Sequence, residues 1–501
     1  MGLAQSVQMA LARMLSAGRV EVREDGAWLA VLEGFSYEVR EQSEAALLHL
    51  WSQQSNQVRR VTRIVREDSE RLALEVARLG RGRAARLEFL ATKRNPSHGR
   101  VTREQFRVRF ERMLTQQFPD ETVVSLTAGS DLEHSLSGSY VRGILRTPSG
   151  DWAVMGVAPA ENPSIYDGLL TFGLIWLDRA RRSSRARSLA GLRLYFPEGT
   201  GRATAHRLSA LSATVAVQLY EYNDQSGRAR SIDRLDIGNV ESWLAQRRET
   251  EAALGAAGLF LDRVRRHAPD AIQAQVVPGT SHLDVRYRGL SFARWQPDAI
   301  FFGVGDPQKQ KLLSANREPE FEKLLKELET YRSPLASGTT HALYRAQPER
   351  WLESMVAADP VRVDARLDLR FVYSQVPALS IGDRGVMDLL AVTRDGRLVV
   401  LELKAQEDIH MTLQAVDYWL RVRWHHERQE FSRYGYFPGV ALDPRPPRLL
   451  LIAPSLRFHP ATDTILRYLD PQIEIERVGV IEQWRRGLKV VLRQAAATRP
   501  S

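Results

Sequence analysis

Cysteine is absent from this 501-residue chain, which excludes disulfides, thiolate metal sites and a cysteine nucleophile. Any metal must therefore sit on oxygen or imidazole ligands. Long apolar runs are missing as well. The most notable, Gly168 to Leu177, is about half of what a membrane span requires. No secretory leader is readable, because the start lacks a basic region followed by an apolar core. The expectation is a cytoplasmic protein with no membrane partner. Lysine is scarce, seven residues among 70 Lys+Arg. No helix-turn-helix signature, zinc finger or phosphate-binding glycine loop is present.

What is plentiful is arginine. The net charge is +10, and its distribution is uneven. Residues 56 to 112 hold 16 Lys or Arg against 7 Asp or Glu, and residues 178 to 187 hold five Arg against one Asp. Guanidinium groups match phosphate oxygens in planar, bidentate geometry. Arg59, Arg60, Arg63, Arg81, Arg83 and Arg86 are therefore candidates for backbone phosphate contacts. The plain alternative is a solvated basic face.

Four regions separate by pattern. Residues 1–95 begin with an apolar helix-like stretch and continue as short strands, a basic β-rich module. Residues 96–250 alternate helix and strand. Residues 251–335 read as a small α+β module that ends in a charged helix, Glu318 to Tyr331, and a linker at Ser333 to Gly338. Residues 336–501 form an α/β unit. It opens with a helix whose first position suits Pro348, with an apolar stripe of Trp351, Leu352, Met355 and Val356.

The segment from Met387 to Lys404 carries the chemistry. In a strand, alternate side chains share a face, so Glu402 and Lys404 point the same way while Leu401 and Leu403 pack oppositely. Asp395-Gly396 makes the preceding connection a hairpin. A two-residue loop would set Asp388 opposite Leu403, on the wrong face. A three-residue loop, Arg394 to Gly396 with Gly396 left-handed, sets Asp388 opposite Glu402. Two carboxylates at strand spacing supply hard oxygen ligands for Mg²⁺ or Mn²⁺, and a lysine two residues on can orient water or stabilise a pentavalent phosphate. Lys404 is the only lysine between residues 327 and 488. A solvated strand face in so arginine-rich a chain would more readily carry Arg.

Asp388 followed by Glu402-Leu-Lys404 resembles the PD-(D/E)xK nuclease superfamily, although the proline before the first acid is missing. Gln414 to Tyr418 is similar to the Gln-x-x-x-Tyr helix of its RecB-type branches, with Gln414 and Tyr418 on one helix face. The Leu352-Glu353 helix resembles the first helix of mismatch endonucleases, where a glutamate completes the metal site. That resemblance implies Glu353 as a third metal ligand, with Glu349 one turn earlier as the fallback. It covers about 150 residues. It implies a restriction-endonuclease-like mixed sheet flanked by helices, and a metal-dependent deoxyribonuclease acting in DNA repair or phage defence. Endonuclease and exonuclease action both stay open, RNA is a possible second substrate, and so are protein partners or a homo-oligomer. A non-catalytic nucleic-acid-binding scaffold is the competing expectation.

Residues 110 to 221 repeat the plan without the carboxylates. Phe110 to Leu114 parallels Trp351 to Met355, and the turn at Ser149-Gly150 parallels the hairpin at Gly396. Aligning those two glycines puts Arg142, Gly156 and Ala158 where Asp388, Glu402 and Lys404 stand. A degenerate, pseudo-nuclease copy is expected there.

Overall fold

A computed structural model describes the chain apart from residues 1, 18, 26, 32–35, 43–44, 52–55, 69, 79–83, 93–98, 132–133, 160, 162, 184–188, 225, 233–243, 245–246, 278–279, 306–309, 378–385 and 497–501. The architecture is mixed α/β, with four sheets. No helix among the described residues is long and apolar enough to cross a membrane.

The first unit is helix α1 (Leu3–Ala17) on a seven-stranded antiparallel sheet. Its strands are β1 (Arg19–Glu24), β2 (Ala27–Val31), β3 (Ser36–Gln42), β4 (Ala45–Trp51), β5 (Asn56–Glu67), β6 (Arg71–Arg78) and β7 (Ala84–Thr92). Val7, Leu11 and Met14 of the helix bury against Leu48, Val61, Leu74 and Phe89. Period-two alternation gives one apolar face for the helix and one charged face.

The second unit begins with α2 (Gly99–Gln117). Then come β8 (Thr122–Thr127), β9 (Tyr140–Thr147), β10 (Gly150–Val157), α3 (Pro163–Arg182), β11 (Leu189–Pro197), α4 (Arg202–Arg207), β12 (Val217–Asn223) and β13 (Arg228–Ser231). The third unit joins α5 (Arg247–Ala256), α6 (Gly258–His267) and α7 (Glu318–Tyr331) to the antiparallel strands β14 (Ile272–Val276), β15 (Leu283–Tyr287), β16 (Leu290–Trp295), β17 (Ile300–Phe302) and β18 (Lys311–Leu312).

After the short α8 (Ala342–Arg345), the last unit contains α9 (Pro348–Ala358), β19 (Leu367–Pro377), β20 (Val386–Thr393), β21 (Leu398–Leu403) and α10 (Met411–Glu427). It continues through α11 (Glu430–Arg433), β22 (Arg448–Pro454), α12 (Ala461–Leu466), β23 (Ile475–Val480) and β24 (Val490–Ala495).

The second and last units have the same topology. Each sheet runs in sequence order across six strands. In each, the first three strands are antiparallel, the third to fifth are parallel, and the sixth turns back. A long helix crosses over between the third and fourth strands of both, α3 in one and α10 in the other. The two are joined face to face by one continuous apolar core containing Leu169, Leu174 and Leu194 of one copy and Val400, Val416 and Leu451 of the other.

Their contact is itself self-complementary. Leu211, after α4, and Leu469, after α12, form an antiparallel bridge. Ser212 N donates to Tyr468 O at 2.9 Å and Asp470 N to Ala210 O at 2.9 Å. Corresponding residues meeting one another is the signature of a pseudo-two-fold interface.

The register corrects one expectation about the repeat. Thr147 pairs directly with Gly150, so this hairpin has a two-residue loop, one shorter than its counterpart. Arg142 still stands where Asp388 does. Its partner across the ladder is Met155, and Met155 faces Leu194 of β11 as Glu402 faces Leu451 of β22. Met155 and Val157 thus replace Glu402 and Lys404. Gly156 turns to the other face, where an added Cβ would meet the Phe110 ring at 2.8 Å. A one-residue change in a period-two strand exchanges the faces. Neither alignment leaves a carboxylate.

The stretch read as a linker is anchored at its start. Arg332 is fully buried. Its guanidinium donates to the carbonyls of Tyr287, Arg288, Leu343, Ala346 and Gln347, fastening the β15–β16 hairpin to the start of α9. Gly289, at φ +77°, presses on Arg350 O, which an added Cβ would approach to 2.0 Å. Gln273 and Gln275 of β14 donate to the carbonyls of Ser354 and Ser374. The third unit is therefore the backing that positions α9.

Candidate active site

The hairpin between β20 and β21 has the three-residue loop that the chemistry asked for. Val392 pairs with Leu398, Thr393 N donates to Arg397 O at 2.8 Å, and Gly396 N donates to Thr393 O at 2.9 Å. Gly396 has φ +87° and lies so close to Ala441 O that a Cβ would stand 2.1 Å from it. Only glycine takes both conditions without strain. With Leu389 opposite Leu401, the next step along the ladder sets Asp388 opposite Glu402.

Faces divide as the alternation predicts. Leu389, Ala391, Val399, Leu401 and Leu403 pack against Trp351, Leu352 and Val356 of α9. Leu390, Val392, Leu398 and Val400 pack against α10, and Asp388, Glu402 and Lys404 continue that second face at its open end. Asp388 is partly exposed and accepts from Leu403 N at 2.9 Å.

Glu402 is fully buried. Neither of its carboxylate oxygens accepts a hydrogen bond of acceptable geometry from the described residues. The Lys404 ammonium approaches one of them to 3.3 Å. Burial, and then the charge of Asp388, pushes the Glu402 carboxyl well above the ordinary glutamate range. Burial alone would lower the Lys404 ammonium, but Glu402, Asp388, Asp408 and Glu349 together hold it above its usual value.

Gln414 and Tyr418 converge on the lysine. Lys404 Nζ donates to Gln414 Oε1 at 2.8 Å, and Gln414 Nε2 donates to Tyr418 Oη at 3.1 Å. Helical spacing of four puts both polar groups over Lys404, which emerges from the end of β21. Asp408 adds a carboxylate 3.4 Å from the same ammonium. Sequence reasoning missed Asp408, although its i+4 spacing from Lys404 was a readable signal.

Glu353 takes a different place from the one expected. It is buried and ion-paired with Arg350 at 2.6 Å. Arg350 also stands 3.6 Å from Asp388, so a guanidinium lies between the helix carboxylate and the strand carboxylate. Among the described residues, no three His, Asp or Glu side chains are close enough to hold an ion by themselves. Burial raises the Glu353 carboxyl to about 7, despite Arg350. Glu349 is also raised, by burial first, and faces the charges of Lys404, Asp388 and Asp408. Arg350 was legible as the residue three before Glu353, but its role depends on the packing of α9.

The arginines of the first unit are mostly engaged. Arg59 is buried and gives a two-point bond to Glu24 at 2.7 and 3.0 Å. It is a structural ion pair, which removes it from the phosphate-contact set. Arg63 and Arg86 are exposed but sit on Glu75 and Glu88 at 2.8 and 2.9 Å. Arg60 is exposed. Arg81 and Arg83 lie outside the described residues. Pairing with glutamate, from other strands for Arg59 and Arg63 and within β7 for Arg86, offsets part of the basic character that the linear sequence suggested.

The two carboxylates are hard oxygen donors of the kind a divalent cation takes, and the buried one has only the Lys404 ammonium beside it, at 3.3 Å. Comparison with protein-family models, with curated proteins and with solved structures finds no match to this chain.

Proposed function

We propose that the chain is a divalent-metal phosphodiesterase of the PD-(D/E)xK type, hydrolysing DNA backbone bonds. The observation that carries the reading is the buried Glu402 carboxylate, whose oxygens accept no well-formed hydrogen bond among the described residues, opposite Asp388 and beside Lys404, the only lysine between residues 327 and 488. The one cation beside it, Lys404 Nζ at 3.3 Å, is shared with Gln414 and Asp408, so the carboxylate keeps lone pairs that a divalent ion would satisfy. The topology of the sheet and the Lys404–Gln414–Tyr418 chain support the same reading.

In this account Asp388 and Glu402 hold Mg²⁺ or Mn²⁺. When bound there, such an ion would supply Lewis acidity to the phosphodiester. Lys404, kept cationic by its carboxylate neighbours and aimed by Gln414, stabilises the negative charge that gathers on the phosphate. Tyr418 fixes the Gln414 amide. Water oxygen bonds to phosphorus as one phosphorus–oxygen bond to sugar breaks; the water gives up a proton to solvent and the departing sugar oxygen takes one from it. A DNA substrate in repair or defence, RNA as a second substrate, and protein partners or self-association remain parts of the proposal.

The competing reading is a nucleic-acid-binding scaffold without catalysis. It draws on the Arg350–Glu353 pair, which keeps the helix carboxylate out of the cluster. Incubation of the full chain with end-labelled single-stranded, duplex and branched DNA, with Mg²⁺ or Mn²⁺, decides between them. Cleavage by the wild type and none by Lys404→Ala is expected. Salt-sensitive binding with no cleavage under either ion supports the scaffold.

A further inference from the structure

Between the two six-stranded units, beside α3 and α10, lies a cavity of about 340 Å³. Tyr140, Asp167, Gly168 and Phe172 line it from the copy that lacks the counterparts of Asp388 and Glu402, and His410, Gln414 and Tyr418 from the other. The Tyr140 and Phe172 rings stand 4.8 Å apart between centroids, and the His410 ring meets Phe172 edge-on at 5.6 Å. Arg207 and Asp417 also line it, locked to each other by a two-point ion pair.

This cavity abuts the carboxylate site through a shared wall. Gln414 and Asp408 both line it, and both contact the Lys404 ammonium, at 2.8 and 3.4 Å. Its wall is thus one hydrogen bond away from the group proposed to face the phosphate. Its volume is near the lower end for small-ligand pockets, enough for one base with part of its sugar. The partly exposed His410 ring, held edge-on by Phe172, offers a stacking surface that tolerates any base, and Asp408 and Gln414 offer hydrogen bonds to base edges. A base that is still paired and stacked in a duplex has no access to so confined a space.

Resting on the nuclease reading, we propose that this cavity seats one unpaired nucleobase beside the scissile phosphate, making single-stranded or frayed DNA the substrate. The copy that lacks the acid pair then has a task. It supplies half of the base pocket.

The test uses the full chain with Ca²⁺, to suppress turnover, and short DNA carrying 2-aminopurine, whose emission falls on stacking. Single strands are expected to be quenched and to bind at least about tenfold more tightly than a blunt duplex. Ser137→Trp, which fills the cavity from a lining position, is expected to weaken single-strand binding about tenfold and abolish the quench. Phe172→Leu, which removes the ring while keeping most of its volume, does the same should the tryptophan variant fail to fold. Lys404→Ala is expected to keep the quench while losing cleavage. Equal binding of duplex and single strand, or unchanged quenching in a folded pocket variant, overturns the pocket even if the wild type cuts DNA. Quenching that both pocket variants abolish, in a protein that cuts nothing with any divalent ion, upholds the pocket and overturns the nuclease reading.

Discussion

Arg207 of α4 and Asp417 of α10 form a buried ion pair across the two copies, with guanidinium-to-carboxylate contacts of 2.8, 3.0 and 2.6 Å. On the other side of the pseudo-two-fold, Arg467 reaches Asp178 at 3.3 Å in a more exposed setting. Removing one member of a buried pair strands the other charge, at a cost of about 3–5 kcal/mol. Arg207→Ala should therefore destabilise strongly in urea unfolding, whereas Arg467→Ala should cost less than about 1 kcal/mol. Equal effects from the two would contradict the asymmetry in burial.

Tyr418 is linked to Lys404 through the Gln414 amide. Tyr418→Phe should lower kcat about tenfold with KM little changed, because the lysine loses its aim but not its charge. Gln414→Ala should lower it further. A Tyr418→Phe enzyme with unaltered kcat would remove the hydroxyl from the account.

Glu353 gives the metal-free protein an inverted pH dependence. Its carboxyl is raised from 4.5 to about 7 by burial, so the folded state holds a proton that the unfolded chain releases. That contribution is full below pH 4.5 and is lost as pH rises towards 7, up to about 3 kcal/mol. Glu353→Gln should match the wild type at low pH and exceed it in stability at pH 8, as read from denaturant midpoints. A variant less stable than wild type at pH 8 would show that the Arg350 pair outweighs desolvation.

Gly396→Ala should cost about 1–3 kcal/mol, since its φ is left-handed and Ala441 O occupies the Cβ position. It should also reduce divalent-ion affinity, because this turn sets the register that brings Asp388 opposite Glu402. Thermal shift with and without Mn²⁺ separates the two effects.

The hairpin and its register were legible because a period-two strand, a turn glycine and a chemical requirement admit one loop length. The helices at Pro348 and Glu318 were legible from their first residues and stripes. Loop length in the repeat was not. The sequence shows a glycine turn there, but not whether Thr147 pairs with Gly150, and one residue decides which side chains face α3. The arginine candidates misled for a related reason. Net charge over a window does not say which acid meets which base: Glu24 and Glu75 reach Arg59 and Arg63 from other strands, while Glu88 meets Arg86 two residues along the same strand. The role of Arg350 needed the packing of α9 on the third unit.

The central claim is that Asp388 and Glu402 share one divalent cation. Mn²⁺ titration of the full chain followed by electron paramagnetic resonance tests it directly. One ion per chain is predicted for the wild type and for Lys404→Ala, with none at comparable affinity for Glu402→Ala or Asp388→Ala. Unchanged Mn²⁺ binding in both carboxylate variants would contradict the account.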